Sequence, residues 1–410
     1  MSDHYDDAET QVANAREAAL FGGLAVHLTS AVAASPGLAV HLEGCDLDIH
    51  DRAALAKLPV LRKADLMAAQ AANPPFGGFV DMSKLAGTRL FSSPGPIWEP
   101  QGLGADPWGG ARALHAAGFR RGDIVHNALS YHMTPGGFIL DEGLRAIGCT
   151  VFPAGVGNTD LQVEAAAALR PVAYTGTPDY LKVILDRAVE QGVDLSCIRR
   201  ALVSGGALFP SLRDEYAERG VQVMQCYATA DLGTIAYQTA SNGEIHPGMV
   251  VNEGMIVEIV RPGTGDPVTA GEVGELVVTN LSDLYPLVRF ATGDLTKEVP
   301  EPSPCGRTNM RIAGWMGRAD QRTKIKGMFV DPKQIAEIRA RHSEITGARL
   351  VVERRGASDS MTLRVTGEGV DVNAVADTLR GITRLGGRVE AVETLPNDGK
   401  VIADERDYDA

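Results

Sequence analysis

The chain has 410 residues, 44% of them hydrophobic and 22% charged, a balance that excludes a largely disordered protein and provides for two cores. A formal net charge of -13 repels nucleic-acid backbones and anionic lipid, so neither nucleic acid nor a membrane is expected as the main partner. The five cysteines, Cys45, Cys149, Cys197, Cys226 and Cys305, show no paired spacing and fit a reducing compartment, the cytoplasm.

The first ten residues are acidic, unlike a signal peptide. Residues 18–34 form an apolar run interrupted by His27, Thr29 and Ser30, which reads as a half-buried or amphipathic helix stopped by Ser35-Pro36-Gly37. From 111 to 206, helical stretches alternate with short apolar runs at 123–125, 150–152, 172–174 and 201–203, the pattern of parallel strands joined by crossover helices. After Tyr227, strand-like runs at 254–260, 274–279 and 288–294 between turn-rich segments predict a mostly β subdomain. Past Trp315, a helix at 331–341, strands at 349–353 and 362–366, a helix at 372–379 and a strand at 388–392 predict a small α+β unit. The expected fold is therefore α/β, with a large N-terminal domain of several subdomains and a small α+β C-terminal lid.

Several segments, in this order, resemble the phenylacetate–coenzyme A ligase family of adenylate-forming enzymes. They include Leu58-Pro59-Val60-Leu61-Arg62-Lys63-Ala64-Asp65-Leu66, Arg121-Gly122-Asp123-Ile124-Val125-His126-Asn127-Ala128 and Ser204-Gly205-Gly206-Ala207. More specific are Pro286-Leu287-Val288-Arg289-Phe290-Ala291-Thr292-Gly293-Asp294-Leu295, Cys305-Gly306-Arg307-Thr308, Gly317-Arg318-Ala319-Asp320 and Lys324-Ile325-Lys326-Gly327, with Leu395-Pro396-Asn397-Asp398-Gly399-Lys400 near the end. The resemblance runs nearly end to end. It implies ATP-dependent activation of an aromatic carboxylic acid as an acyl adenylate, then thioester formation with coenzyme A. A carrier-protein thiol or an amine would need the same first half-reaction, and an adenylate binder without catalysis is the rival reading. The implied domains are an AMP-binding domain, 1–319, and a mobile lid, 320–410, with Asp320 at the hinge. A homodimer is the oligomeric state entertained, with no residue that decides it.

Each chemical task suggests a residue. Asp294, after Thr292-Gly293, suits two ribose hydroxyls through its two carboxylate oxygens, a turn aspartate being the alternative. Arg318 offers a planar fork for ribose or phosphate, against a plain surface salt bridge. Lys400 would stabilise charge developing on the carboxylate and α-phosphate oxygens. In Cys226-Tyr227-Ala228-Thr229-Ala230-Asp231, the resemblance puts Tyr227 beside adenine, Thr229 among the catalytic residues and Asp231 on magnesium, although glutamate is usual there and a helix-capping aspartate is the alternative. It also places Ser204, Gly205, Gly206, Ala207 and Lys326 against the nucleotide or coenzyme A. Tyr131, His132, Gly136 and Phe138 fall on the stretch that lines the family's acid pocket, where an isolated aromatic or histidine is more often core.

The main departure is the phosphate loop. The family has Ser-Ser-Gly-Thr-Thr-Gly-Lys-Pro; here Ser92 and Ser93 are followed by Pro94-Gly95-Pro96-Ile97-Trp98-Glu99-Pro100, which lacks the lysine and loses two backbone donors to proline. A poor anion cradle is expected, and two readings stay open: Ser92 and Ser93 still bind phosphate while other cations compensate, or the protein no longer handles ATP in the usual way. Relatives with a zinc site use three cysteines and a histidine; only His246 and Cys305 stand at the matching places, with Thr239 and Ser303 replacing cysteines, so no structural zinc is expected.

Overall fold

The apolar runs of the first half become the core strands of the computed structural model, which describes residues 4–93, 95–319, 321, 323–355, 358–396 and 401–406. Thr150–Pro153, Ile124–Asn127, Ala173–Gly176, Arg200–Val203 and Gln222–Thr229 lie side by side in parallel. Parallel neighbours need long crossovers, here the helices Gly136–Ile147, Thr159–Leu169, Pro178–Glu190 and Pro210–Glu218. Gly233–Tyr237, Met249–Val251 and Arg311–Ile312 extend the sheet antiparallel. The carboxyl ends of the parallel strands, and the loops that leave them, therefore share one edge, where ligands bind in open α/β sheets.

A second sheet orders Leu61–Arg62, Phe290–Thr296, Gly274–Asn280 and Met255–Val260. Arg289, fully buried, sews it together: its guanidinium pairs with Glu258 Oε2 at 3.0 Å and donates to the carbonyls of Ala56, Leu58 and Gly265. This draws the segment before Leu61 onto the sheet and fixes Lys63, the first residue of helix Lys63–Ala72. The predicted N-terminal helix spans Ala13–Ala34 and buries Leu20, Phe21, Leu24, Leu28 and Ala31 in the core, although by length and composition it would also suffice to cross a bilayer.

The chain divides into two compact units, Met1–Trp315 and Met316–Ala410. The division falls after Trp315, ahead of the 319/320 boundary expected from the sequence. In the second unit, Arg388–Ala391, Ser358–Thr366, Gly347–Arg355 and Ile402–Asp404 form a sheet in that order. Helices Pro332–Arg341 and Val372–Thr383 pack on it through Ile335, Ile338, Val375 and Leu379, all fully buried.

Candidate functional site

Asp294 sits on the strand Phe290–Thr296 at a bulge opposite Leu276. Gly293 takes φ +74°, a left-handed conformation that suits glycine. Thr292 Oγ1 donates to Leu276 O at 3.0 Å and accepts from Asp294 N at 3.1 Å, so the threonine fixes the turn. The Asp294 carboxylate is thereby left for other partners: Tyr227 OH donates to Oδ2 at 2.6 Å and Trp315 Nε1 to Oδ1 at 3.1 Å. Two aromatic rings from distant segments thus flank one acid. Trp315 was not foreseen, because nothing local in the sequence ties it to a residue 21 positions earlier.

Tyr227 and Thr229 lie at the end of the strand Gln222–Thr229, and the neighbouring strand Arg200–Val203 leads into Ser204, Gly205, Gly206 and Ala207. Ser204 Oγ donates to Cys226 O at 3.0 Å, closing that loop against the tyrosine's strand, while Gly205 and Gly206 remain exposed. Thr229 Oγ1 accepts from Leu232 N at 3.3 Å, starting the turn that carries Asp231. The sequence-assigned Ser204–Ala207, Tyr227, Thr229 and Asp294 are therefore brought together on one edge of the first unit.

The phosphate-loop position is a hairpin, Leu90–Ser93 with Ile97–Pro100, in which Ser93 pairs with Ile97. Gln70 clamps it to the helix Lys63–Ala72, accepting from Trp98 N and donating to Trp98 O, both at 2.9 Å. Ser92 N donates to Met133 O at 2.8 Å. Ser93 Oγ is buried and donates to Glu99 Oε1 at 2.9 Å, so it points to a carboxyl group and not to an anion cradle. Glu99 in turn meets Asp231, whose Oδ2 accepts from Lys63 Nζ at 2.7 Å. Burial first, and then the charge of Asp231, push the Glu99 carboxyl well above its ordinary range. Lys63 and Glu99 are site residues that motif reading passed over, since the lysine is 168 positions from its acid.

The predicted acid pocket is only partly assembled as expected. Tyr131 OH donates to Asp141 Oδ2 and accepts from Asn127 Nδ2, both at 2.7 Å, and its ring meets Phe138 edge-on at 5.0 Å. Burial, with Asp141 adding to it, pushes the Tyr131 phenol upward. Phe138 is held between Phe91, at 5.3 Å, and the Arg89 guanidinium, at 4.7 Å, which makes it part of an aromatic cluster. Gly136 opens the helix Gly136–Ile147, and His132 is exposed on the preceding loop.

In the second unit, Lys326 and Gly327 turn the hairpin Thr323–Ile325/Met328–Val330, with φ of +48° and +84°, as a two-residue hairpin turn demands. The Lys326 side chain is exposed and Arg318 is half-buried. Pro94, Asp320 and Lys400 lie outside the described residues. At the former zinc positions, Thr239 Oγ1 contacts His246 Nδ1 at 3.0 Å, and Cys305 Sγ contacts Ser303 Oγ at 3.1 Å and Arg307 at 3.2 Å. Burial raises the Cys305 thiol, but hydrogen bonds from Ser303, Thr239 and Arg307 outweigh it and bring the thiol below its ordinary value.

Comparison with known proteins agrees with this arrangement. The AMP-binding enzyme family model matches residues 112–282. The phenylacetate–coenzyme A ligase of Aromatoleum evansii is 30% identical over 341 residues, covering 78% of this chain and 73% of that one. The phenylacetate–coenzyme A ligase of Thermus thermophilus is 31% identical over 327 residues, with coverage of 76% and 72%. A crystal structure of 2-hydroxyisobutyryl-CoA ligase, in complex with its acyl-AMP and coenzyme A in the thioesterification state, superposes with a TM-score of 0.82 at 25% identity, covering 99% of this chain and 93% of that one. The chain belongs to the phenylacetate–coenzyme A ligase family of AMP-forming acid–thiol ligases.

Proposed function

We propose that the chain uses ATP to convert an aromatic carboxylic acid into an acyl adenylate and then passes the acyl group to coenzyme A. The acid's carboxylate attacks the α-phosphorus and pyrophosphate leaves; the coenzyme A thiol then attacks the acyl carbon and AMP leaves. The observation that carries this reading is the Asp294 carboxylate held between Tyr227 and Trp315 at the carboxyl edge of the parallel sheet. It is a preset acceptor for a ribose beside a ring that can stack on adenine. Lys400 is assigned the charge that develops at the α-phosphate, Arg318 the ribose or phosphate oxygens, and Asp320 the hinge. Magnesium is expected to enter on the ATP phosphates, where it keeps several waters. The acidic net charge and unpaired cysteines support work on small molecules in the cytoplasm, without nucleic-acid or membrane partners. Incubating the protein with ATP, magnesium, coenzyme A and each of a panel of aryl acids should yield AMP and one aryl-CoA thioester by mass spectrometry. Stoichiometric AMP with a carrier thioester or an amide instead would move the acceptor. No AMP with any acid would end the enzyme reading.

A second reading, an adenylate-binding protein that does not turn over, is favoured by the pairing of Ser93 with Ile97 across the hairpin and by the engagement of Ser93 with Glu99. Under it, AMP or an aryl-adenylate mimic binds as tightly as ATP, with or without magnesium, in calorimetric titration. Markedly tighter, magnesium-dependent ATP binding would exclude it.

A further inference from the structure

The family pattern puts a magnesium ligand at Asp231, and the surroundings of that side chain argue otherwise. It is 1% exposed. One oxygen, Oδ2, is closed by the Lys63 ammonium at 2.7 Å. The other, Oδ1, has no conventional donor and faces Glu99, whose Oε2 is equally buried and without a conventional donor, its Oε1 being taken by Ser93. Two buried carboxyl oxygens that face each other without donors are satisfied together by one proton, and because Asp231 is the carboxyl paired with an ammonium, Glu99 is the side that carries it. The acid comes from the hairpin at the phosphate-loop position. Magnesium wants open oxygens with room for its waters, and it would sit against an ammonium of the same sign. These residues do not fit it.

We propose that Asp231 is a positioning residue for Lys63 and not a ligand of magnesium, and that protonated Glu99 locks Asp231 onto the lysine. The geometry has three consequences. Lys63 is held in place before any nucleotide arrives, magnesium does not compete for its partner, and a glutamine can replace Glu99 because its amide accepts from Ser93 and donates to Asp231. The proposal deepens the ligase reading by naming the charge arrangement at the end of the site nearest the hairpin. Its test needs no turnover, so a chain without ligase activity would still give the pattern.

The experiment is competitive acetylation of the full-length protein, with the rate at Lys63 read by peptide mass spectrometry against Lys57 and Lys84 as internal controls. Freeing the amine from its acid should speed labelling roughly tenfold in Asp231→Asn, because the charge-assisted hydrogen bond at 2.7 Å no longer holds the amine back. Glu99→Ala should speed it severalfold, whereas Glu99→Gln should label like the parent protein, and millimolar magnesium, alone or with ATP, should leave the parent rate unchanged. If magnesium accelerates Lys63 labelling in the parent protein, the ion displaces the lysine from Asp231 and the proposal falls. It falls equally if Glu99→Gln behaves as Glu99→Ala does while the control lysines stay at their parent rates, because a carboxamide would then fail to replace the donated proton.

Discussion

Replacing Asp294 with alanine removes the acceptor on which the nucleotide assignment rests. In the structure its two oxygens accept from Tyr227 OH at 2.6 Å and from Trp315 Nε1 at 3.1 Å, and the proposal adds a ribose hydroxyl to each. A hydrogen bond to a charged group contributes about 1.5–3 kcal/mol. Because both ribose bonds share one carboxylate, the low end of the range applies to the pair, about 3 kcal/mol in all. At 1.4 kcal/mol per factor of ten, AMP should bind roughly a hundredfold more weakly. The variant also removes the Asp294 acceptor from Tyr227 OH and Trp315 Nε1, but both residues are half-buried and water can take its place, so the fold should lose only about 1 kcal/mol. Isothermal titration with AMP, beside a denaturant melt, separates the two effects. An AMP affinity equal to that of the parent protein, with the melt also unchanged, would refute the ribose role of Asp294 outright.

Three further outcomes are expected. Lys400→Ala should slow adenylation sharply while thioester formation from a supplied acyl adenylate persists, measured by single-turnover kinetics of the two half-reactions; equal loss in both would remove the lysine's specific role. Gly137→Ala places a methyl 2.8 Å from the Tyr131 ring, which must move, at a cost of about 1–3 kcal/mol in denaturant midpoint and with a changed preference among aryl acids. The Glu253 carboxyl is raised by burial, against the opposing pull of Arg16, from an ordinary 4.5 to about 7. The folded chain thus holds a proton there that the unfolded chain has released, and this contribution to stability, full below the ordinary value, is lost as pH rises through about 7. Glu253→Gln should flatten the fall in melting temperature between these pH values, and an undiminished slope would locate the titrating group elsewhere.

What the sequence made legible was local. The parallel strands announced themselves as short apolar runs between turn residues, and 150–152 and 201–203 lie inside the observed Thr150–Pro153 and Arg200–Val203. Asp294 was readable because its turn, with Thr292 bonding the backbone and Gly293 at positive φ, is built within three residues. The partners that complete the site come from tertiary structure: Lys63 reaches Asp231 only because Arg289 anchors the preceding segment, and Trp315 arrives from the end of the first unit. The acidic first residues gave no sign that Glu9 would be fully buried, bonded to Tyr237 and Arg307. At 131–138 the residue types were right for an aromatic pocket, but face was not readable from type: Phe138 turned into the cluster with Phe91, and His132 turned to solvent.

The central claim, that this fold and site carry out acid activation by ATP, meets its most direct test in acid-dependent exchange of labelled pyrophosphate into ATP. The assay isolates the first half-reaction, needs no knowledge of the acyl acceptor, and runs through the step for which Asp294 and Lys400 are assigned. The account predicts exchange that appears only with magnesium and a cognate aryl acid, stays absent without acid, and collapses in Lys400→Ala. Tight binding of an aryl-adenylate mimic with no exchange for any acid in the panel would contradict it, and would leave a protein that holds the adenylate without making it.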